Sequence, residues 1–267
     1  MTSVVTRARL DAELVRRGLA RSRQQAAELI GQGRVAVRGV TAGKPATAVD
    51  RDTPVTIRAT DEPQWASRGA HKLIGALDAF AVAVTGARCL DAGASTGGFT
   101  DVLLARGAVE VVAVDVGYGQ LDWRLRSDTR VRVHDRRNVR SLTQEEIGGL
   151  VDLTVADLSF ISLRTVLPAL VACTAEAGAL VVMVKPQFEV GRERLGSGGV
   201  VRDPELRLAA LTEVTGAARA LGLVLRGAVA SPLPGPSGNV EFFLWLVRCG
   251  ADVGDAALAV AVEEGPR

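Results

Sequence analysis

Arg88-Cys-Leu-Asp91-Ala-Gly93-Ala94-Ser95-Thr-Gly97-Gly98-Phe99-Thr-Asp-Val-Leu-Leu104 is the stretch on which the fold class turns. Its apolar residues up to Leu90 read as a buried strand, Asp91 to Gly98 as a glycine-rich turn, and Thr100 to Ala105 as the start of a helix. Strand, turn and helix make the first unit of a Rossmann-like α/β site, in which backbone comes close to a ligand and helix amides face it. Gly93, Gly97 and Gly98 remove side chains that would block that approach. The pattern is not G-x-G-x-x-G, because Ser95 stands where the second glycine belongs.

The turn opens instead with a carboxylate, Asp91, two residues before its first glycine. That order suits S-adenosylmethionine, whose cationic amino-acid end a carboxylate can hold and which has no pyrophosphate to cradle. Two other readings stand beside it. One is an α/β turn whose glycines serve tight packing alone. The other is a G-x-S-x-G nucleophile elbow over Gly93–Gly97, which requires an acid and then a histidine downstream. The two histidines are His71, upstream, and His134, 39 residues after Ser95, so the hydrolase reading is disfavoured.

With 267 residues and 48% hydrophobic composition, the chain has room for two domains with real cores. Charges interrupt every apolar stretch before it reaches 18 residues, which argues against a membrane span. No apolar segment follows Arg7 and Arg9, which argues against a signal peptide and for a cytoplasmic protein. Cys89, Cys173 and Cys249 lack metal-ligand spacing and read as buried thiols, and no metal is expected. Charge is unevenly spread: residues 1–60 hold 11 Lys/Arg against 5 Asp/Glu, whereas the remainder is net acidic by four. A basic module on an acidic body points to a polyanionic partner for the module.

Within that module, Leu10, Leu14 and Leu19 fall at near-helical spacing, and Ser22 caps a second helix with Ala26, Ala27, Leu29 and Ile30 on its apolar face. Gly31 and Gly33 end it, Val35–Val37 reads as a strand entering a turn at Gly39, and Val55 with Ile57 closes the unit. Arg16, Arg17, Arg21 and Arg23 on the helices can make phosphate contacts, or can simply form a solvated face. Arg9-Leu10-Asp11, Leu14, Gly18, Ser22-Arg23, Ala26, Leu29-Ile30, Gly33, Val35 and Gly39 together resemble the S4 RNA-binding domain. The resemblance implies binding of structured RNA through shape and phosphates.

Residues 61–68 read as a polar linker containing Pro63, with Trp65 as a hinge contact, and an amphipathic helix follows through Phe80. Beyond the glycine turn, strands are expected at Val109–Val114, Val131–His134, Val151–Ala156 and Leu180–Val184, and a helix starts at Asp203-Pro204. Leu223–Val229 and Val240–Val247 read as a closing pair of strands. Asp115 lies 18 residues beyond Gly97, where a doubly wound fold places a ribose-binding carboxylate, although an ordinary strand-end aspartate fits equally. Asp157 and Lys185 fall at carboxyl ends of expected parallel strands. Lys72 and Glu241 interrupt apolar elements, where an unpaired charge is costly. Singly, each has a plain explanation as a helix cap, a snorkelling lysine or an edge-strand charge.

As a set, Lys72, Asp157, Lys185 and Glu241 resemble the Lys-Asp-Lys-Glu tetrad of FtsJ-like ribose 2′-O-methyltransferases. With an S4-like module in front, the chain resembles the TlyA family from Arg9 to about Arg248. The pieces that carry the likeness are Ser67–Leu73, Asp91–Phe99, Asp157–Ile161, Lys185–Glu189 and Gly238–Glu241. The resemblance implies an S-adenosylmethionine-dependent cytidine 2′-O-methyltransferase of ribosomal RNA in assembled subunits, from a family once labelled hemolysins. It makes the tetrad catalytic and Asp91, Gly93, Ala94, Ser95, Gly97, Gly98, Phe99, Asp115, Asp135 and Phe160 cofactor contacts. Asp135 stands where many relatives have glutamate, which shortens its reach. Arg9 and Arg68 join Arg16, Arg17, Arg21 and Arg23 as candidate RNA contacts.

The expected architecture is therefore a small α+β S4-like domain at 1–60, the linker at 61–68, and an α/β methyltransferase domain at 69–250 with a mostly parallel doubly wound sheet closed by an antiparallel strand. Residues 251–267 are expected as a tail. The expected reaction is in-line attack of a ribose 2′-hydroxyl on the sulfonium methyl, with neutral Lys185 as base. A positive Lys72 nearby would lower the proton affinity of Lys185, and Asp157 and Glu241 would raise it. Base methylation is disfavoured, since Asp157-Leu-Ser-Phe160 is not an Asn/Asp-Pro-Pro-aromatic turn and no cysteine follows a catalytic strand end. A non-catalytic RNA-binding factor is the rival of a different class, and a pore-forming hemolysin would need a membrane segment.

Overall fold

A computed structural model describes residues 7–20, 22–58, 65–235 and 238–265, apart from the side chains of Gln24, Glu28, Arg192 and Ser197. The chain divides into two compact units, residues 1–64 and 65–267.

The first unit runs β1 (Ala8–Arg9), α1 (Leu10–Arg16), α2 (Arg23–Gly31), β2 (Val35–Val37), β3 (Val40–Thr41), β4 (Ala48–Val49) and β5 (Val55–Ile57). β2 lies between β3 and β5 in an antiparallel sheet, and β1 pairs with β4. Leu10, Leu14, Ala26, Ile30, Val35 and Val49 form its core. The Ser22 hydroxyl accepts from the Gln25 amide at 3.2 Å, as a cap of α2 should. Leu19 does not join the α1 face: the helix stops at Arg16, Gly18 turns the chain at φ +70°, and Leu19 is 37% exposed.

The second unit is built on the sheet order β11-β12-β10-β9-β6-β7-β8. Its elements are α3 (Gly69–Phe80), β6 (Arg88–Ala92), α4 (Gly98–Ala105), β7 (Glu110–Val114), α5 (Trp123–Arg126), β8 (Val131–His134), β9 (Val151–Ala156), α6 (Leu163–Cys173), β10 (Thr174–Val184), α7 (Pro186–Glu189), α8 (Pro204–Ala220), β11 (Val224–Ala230), β12 (Phe242–Val247) and α9 (Ala256–Glu264). β6 to β10 run parallel and β12 runs antiparallel to both neighbours. Alternate strand residues supply two cores. Leu90, Val112, Val182 and Leu244 face α6, α8 and α9, while Cys89, Val111, Val181 and Phe243 face α3 and α4. Strand order reverses between β6 and β9, the switch point at which doubly wound sheets open a crevice.

Several elements differ from the sequence reading. β10 begins at Thr174, six residues earlier than the apolar run suggests, with a register irregularity between Thr174 and Ala179. Thr174 anchors that start through its hydroxyl, 2.8 Å from the Leu170 carbonyl and 2.7 Å from the Thr154 hydroxyl. β12 begins at Phe242, so Glu241 sits just ahead of the strand. Residues beyond 250, set apart above as a tail, form α9, whose Leu258, Ala261 and Val262 enter the larger core. Cys249 is exposed, not buried. Trp65 packs, half-buried, against the core of the second unit. Among the described residues no helix is long and apolar enough to cross a membrane.

Candidate active site

The crevice at the switch point is framed by the ends of β6 and β9. Ala92 pairs with Ala156, and the next amide, of Asp157, donates to the Ala92 carbonyl at 3.1 Å. Asp157 is thereby set beside Gly93, where φ is +90° and a Cβ would come 2.6 Å from the Asp157 carbonyl oxygen. Only glycine fits there. The other two glycines are as constrained. A Cβ on Gly97 (φ +98°) would collide with the Leu125 side chain, and one on Gly98 would strike the Ser67 hydroxyl and come 3.0 Å from the Ala70 amide. The space on the side where a Cβ would point is thus filled by protein at all three glycines.

The candidate cofactor residues divide into those aimed at the turn and those that are not. Asp91 is fully buried: its Oδ2 accepts from the Thr100 hydroxyl at 2.6 Å, and its Oδ1 has no protein partner. Burial pushes this carboxyl up to about 7 against the lowering effect of the Thr100 hydrogen bond. Asp115 accepts from the Ser95 amide at 2.9 Å and the Gly117 amide at 2.6 Å, holding Ser95 in the left-handed region at φ +48°. Ala94 is buried beside it. Asp135 pairs with Arg126 at 2.8 Å and accepts from the Gly119 amide at 3.3 Å; the Arg126 guanidinium holds it below the usual carboxylate range. The Phe99 ring is buried, 6.1 Å from that of Phe243, and faces the core, which leaves its backbone at the start of α4 as the part that borders the turn. Phe160 is 91% exposed at φ +64°, its ring 5.2 Å from Phe188.

The four charged residues assemble as two ion pairs. Lys72, on the face of α3 that also buries Leu73 and Ala76, donates to Glu241 Oε2 at 2.5 Å. Glu241 is fully buried, and the Gly235 backbone lies so close that a Cβ there would run into its other oxygen, which has no hydrogen-bond partner. Lys185 Nζ lies 2.5 Å from Asp157 Oδ1 and donates to the Ser159 hydroxyl at 3.0 Å. The pairing of Val184 with Phe242 sets Lys185 and Glu241 next to each other at the sheet edge.

Three residues beside this cluster escaped the sequence reading of roles. Ser159 contacts Lys185. Glu189 accepts from the Ser162 hydroxyl at 2.6 Å and the Leu163 amide at 2.7 Å, fastening the loop after β10 to the start of α6. Asn239 accepts from the Val201 amide and donates to the Gly199 carbonyl, both at 3.0 Å. All three lie inside or beside the motifs quoted above, but residue type and spacing carry no sign of which partner each takes.

In the first unit, two buried carboxylates draw in the arginines. Arg9 and Arg23 bond Asp11, each at 3.0 Å, and Arg16 bonds Glu13 at 2.6 Å while remaining about half exposed. Arg17 is different: it bonds Glu13 at 2.7 Å and donates to the carbonyls of Asp50, Arg51 and Thr53, so it holds the fold together and is no free phosphate ligand. Arg21 lies outside the described residues. Arg68, in the second unit, is exposed.

Residues 65–248 match the model of the FtsJ-like methyltransferases, and residues 8–55 match the S4 domain. A relative from Mycobacterium tuberculosis, the 16S/23S rRNA (cytidine-2′-O)-methyltransferase TlyA, is 66% identical over 240 residues, covering 90% of each chain. The chain belongs to the TlyA family of FtsJ-like methyltransferases. The Bacillus subtilis protein YqxC, a further relative, is 42% identical over 89% of this chain and 85% of its own. A solved structure from Streptococcus thermophilus that carries the label hemolysin superposes with TM-score 0.77 and 36% identity, covering 98% of this chain and 96% of that one. The methyltransferase domain of this TlyA-family chain thus holds its two ion pairs at the mouth of the glycine turn.

Proposed function

We propose that this enzyme transfers a methyl group from S-adenosylmethionine to the 2′-hydroxyl of cytidine in ribosomal RNA. The observation that carries the reading is the pairing of Lys185 with Asp157 and of Lys72 with Glu241 at the sheet edge beside the turn at Gly93. When bound, S-adenosylmethionine supplies an electrophilic methyl group on a sulfonium. The unpartnered Asp91 oxygen, buried under the turn, is the acceptor that a cationic amino group would complete. Asp115 and the backbone at Ser95 hold the turn in the shape that receives the rest.

The ribose hydroxyl is a poor nucleophile, so its proton must leave as attack proceeds. Lys185, having first shed a proton, takes it. Asp157 keeps the amine in place and stabilises the ammonium that results. Lys72 has donors left after its bond to Glu241, and these orient the ribose; Glu241, sealed from water, keeps Lys72 from swinging away. The Asp11- and Glu13-braced face of the first unit supplies RNA affinity through Arg9, Arg16 and Arg23.

The test is transfer of labelled methyl to purified small and large ribosomal subunits, followed by nuclease mapping. The expected product is 2′-O-methylcytidine. A methylated base, or no transfer to either subunit despite measurable cofactor binding, would overturn the reading.

A further inference from the structure

The Lys185 amine has three vertices beyond its bond to Cε. One is taken by Ser159, which accepts a hydrogen bond at 3.0 Å, while Asp157 Oδ1 lies at ion-pair distance, 2.5 Å away, without making a hydrogen bond. As an ammonium the group carries protons on all three; as a neutral amine it carries two protons and one lone pair. A neutral Lys185 that keeps Ser159 as its acceptor therefore has its lone pair at one of the other two vertices, and the anionic Asp157 oxygen repels the lone pair from its own side. We infer that Ser159 is a positioning residue of the methyl-transfer reaction: by holding one vertex of the amine, it fixes where Lys185 accepts the hydroxyl proton. This rests on the proposed 2′-O-methylation with Lys185 as base.

Geometry around Ser159 supports the assignment. The loop that carries it is fastened at both ends. At one end the Asp157 amide bonds the Ala92 carbonyl at 3.1 Å; at the other, Glu189 grips the Ser162 hydroxyl and the Leu163 amide. Glu189 lies four residues after Lys185, so the loops after β9 and β10 are tied to each other. Between the anchors, Phe160 is kept at φ +64°, which shows a backbone held by its surroundings and not by local preference. Ser159 itself is exposed, so its hydroxyl fills no core position and its loss opens no cavity. With alanine at 159, a neutral Lys185 stays beside Asp157 but has no hydrogen bond to fix its rotation about the Cε–Nζ bond, so its lone pair can point in more than one direction. The proton transfer, one O–H bond broken and one N–H bond formed, then starts from a misaligned pair in part of the population.

The experiment compares full-length wild type, Ser159→Ala and Ser159→Thr in methyl transfer to the ribosomal subunit that the wild type modifies. Ser159→Ala is expected to lower kcat roughly tenfold to a hundredfold, with KM for the subunit and Kd for S-adenosylmethionine within about twofold of wild type. Ser159→Thr, which keeps the hydroxyl, recovers most of the rate. Wild-type kcat in Ser159→Ala, or a loss that Ser159→Thr does not repair, overturns the assignment. A second measurement needs no turnover: proton exchange at Lys185 Nζ, followed by 15N NMR and assigned with Lys185→Ala. Exchange is expected to speed up several-fold in Ser159→Ala and to return in Ser159→Thr; unchanged exchange refutes the contact. Absence of transfer by the wild type would fail the 2′-O-methylation reading alone, and the NMR result would still decide for or against Ser159.

Discussion

Lys72→Met is the perturbation that most directly examines the buried pair. The Lys72 side chain keeps 11% of its surface exposed, whereas Glu241 keeps none. Removing the lysine leaves a carboxylate with no water and no counter-charge, a situation that costs about 3–5 kcal/mol. In a unit of 203 residues, each kcal/mol lowers the melting temperature by about 2–4 °C, so Lys72→Met should melt roughly 6–20 °C early. Glu241→Gln should cost less, on the order of 1–2 kcal/mol, because Lys72 can turn its ammonium to water at the cleft and the amide oxygen still accepts a bond. The double variant, having no stranded charge, should be more stable than Lys72→Met alone. Urea unfolding of the four proteins, without cofactor, closes the cycle. If Lys72→Met falls within 1 kcal/mol of wild type, or if the two single effects simply add, the pair is not the coupled buried unit described here.

Lys185→Ala should cut turnover by roughly a hundredfold to ten-thousandfold and leave cofactor affinity nearly intact by calorimetry; loss of cofactor binding would make Lys185 a structural residue. Asp91 gives a pH signature. Its folded carboxyl lies at about 7, above the ordinary value of about 3.9, so the native state holds a proton that the unfolded chain releases. That contribution is complete below pH ~4 and lost as pH rises through ~7, a fall of at most about 4 kcal/mol that Asp91→Asn should flatten in pH-dependent urea melts. Cofactor affinity should run the other way, climbing up to about tenfold per unit toward pH 7 in the wild type. A flat wild-type binding profile would separate Asp91 from the amino group. Removing residues 1–64 should weaken RNA binding and its salt dependence while cofactor affinity stays put; unchanged RNA affinity would sink the assigned division of labour.

Much of the fold was legible because the chain punctuates itself. β8 and β9 fall where their apolar runs do, and Asp203-Pro204 opens α8, with the Asp203 carboxylate accepting from the Glu205 amide at 2.9 Å. Legibility failed where tertiary contacts overrule local pattern. The first residues of β10 carry glutamate and glycine and leave the β9 ladder between Thr174 and Ala179, and the strand starts where it does because Thr174 is tied to Thr154 and Leu170. α9 reads as a short alanine-rich end, and only the bare flank of β11 and α8 makes it part of the core.

The candidate site divides along the same line. Lys72, Asp157, Lys185 and Glu241 stand out because a charge inside an apolar element demands a partner, yet which lysine takes which acid is a matter of register. Val184 opposite Phe242 brings Lys185 alongside Glu241, but α3 delivers Lys72 to that acid and leaves Asp157 for Lys185. The consequence is chemical. The carboxylate that is sealed away serves the lysine that orients, and the carboxylate that keeps 24% of its surface exposed serves the lysine that must lose and regain a proton. A proton-exchanging amine needs a partner that water can reach, whereas an anchor is firmest when its counter-charge has no alternative. Phe99 and the three glycines show the converse: their motif is legible as a cofactor turn, but the residue identities are fixed by Phe243, Asp157, Leu125 and Ser67, the protein atoms against which the turn is pressed.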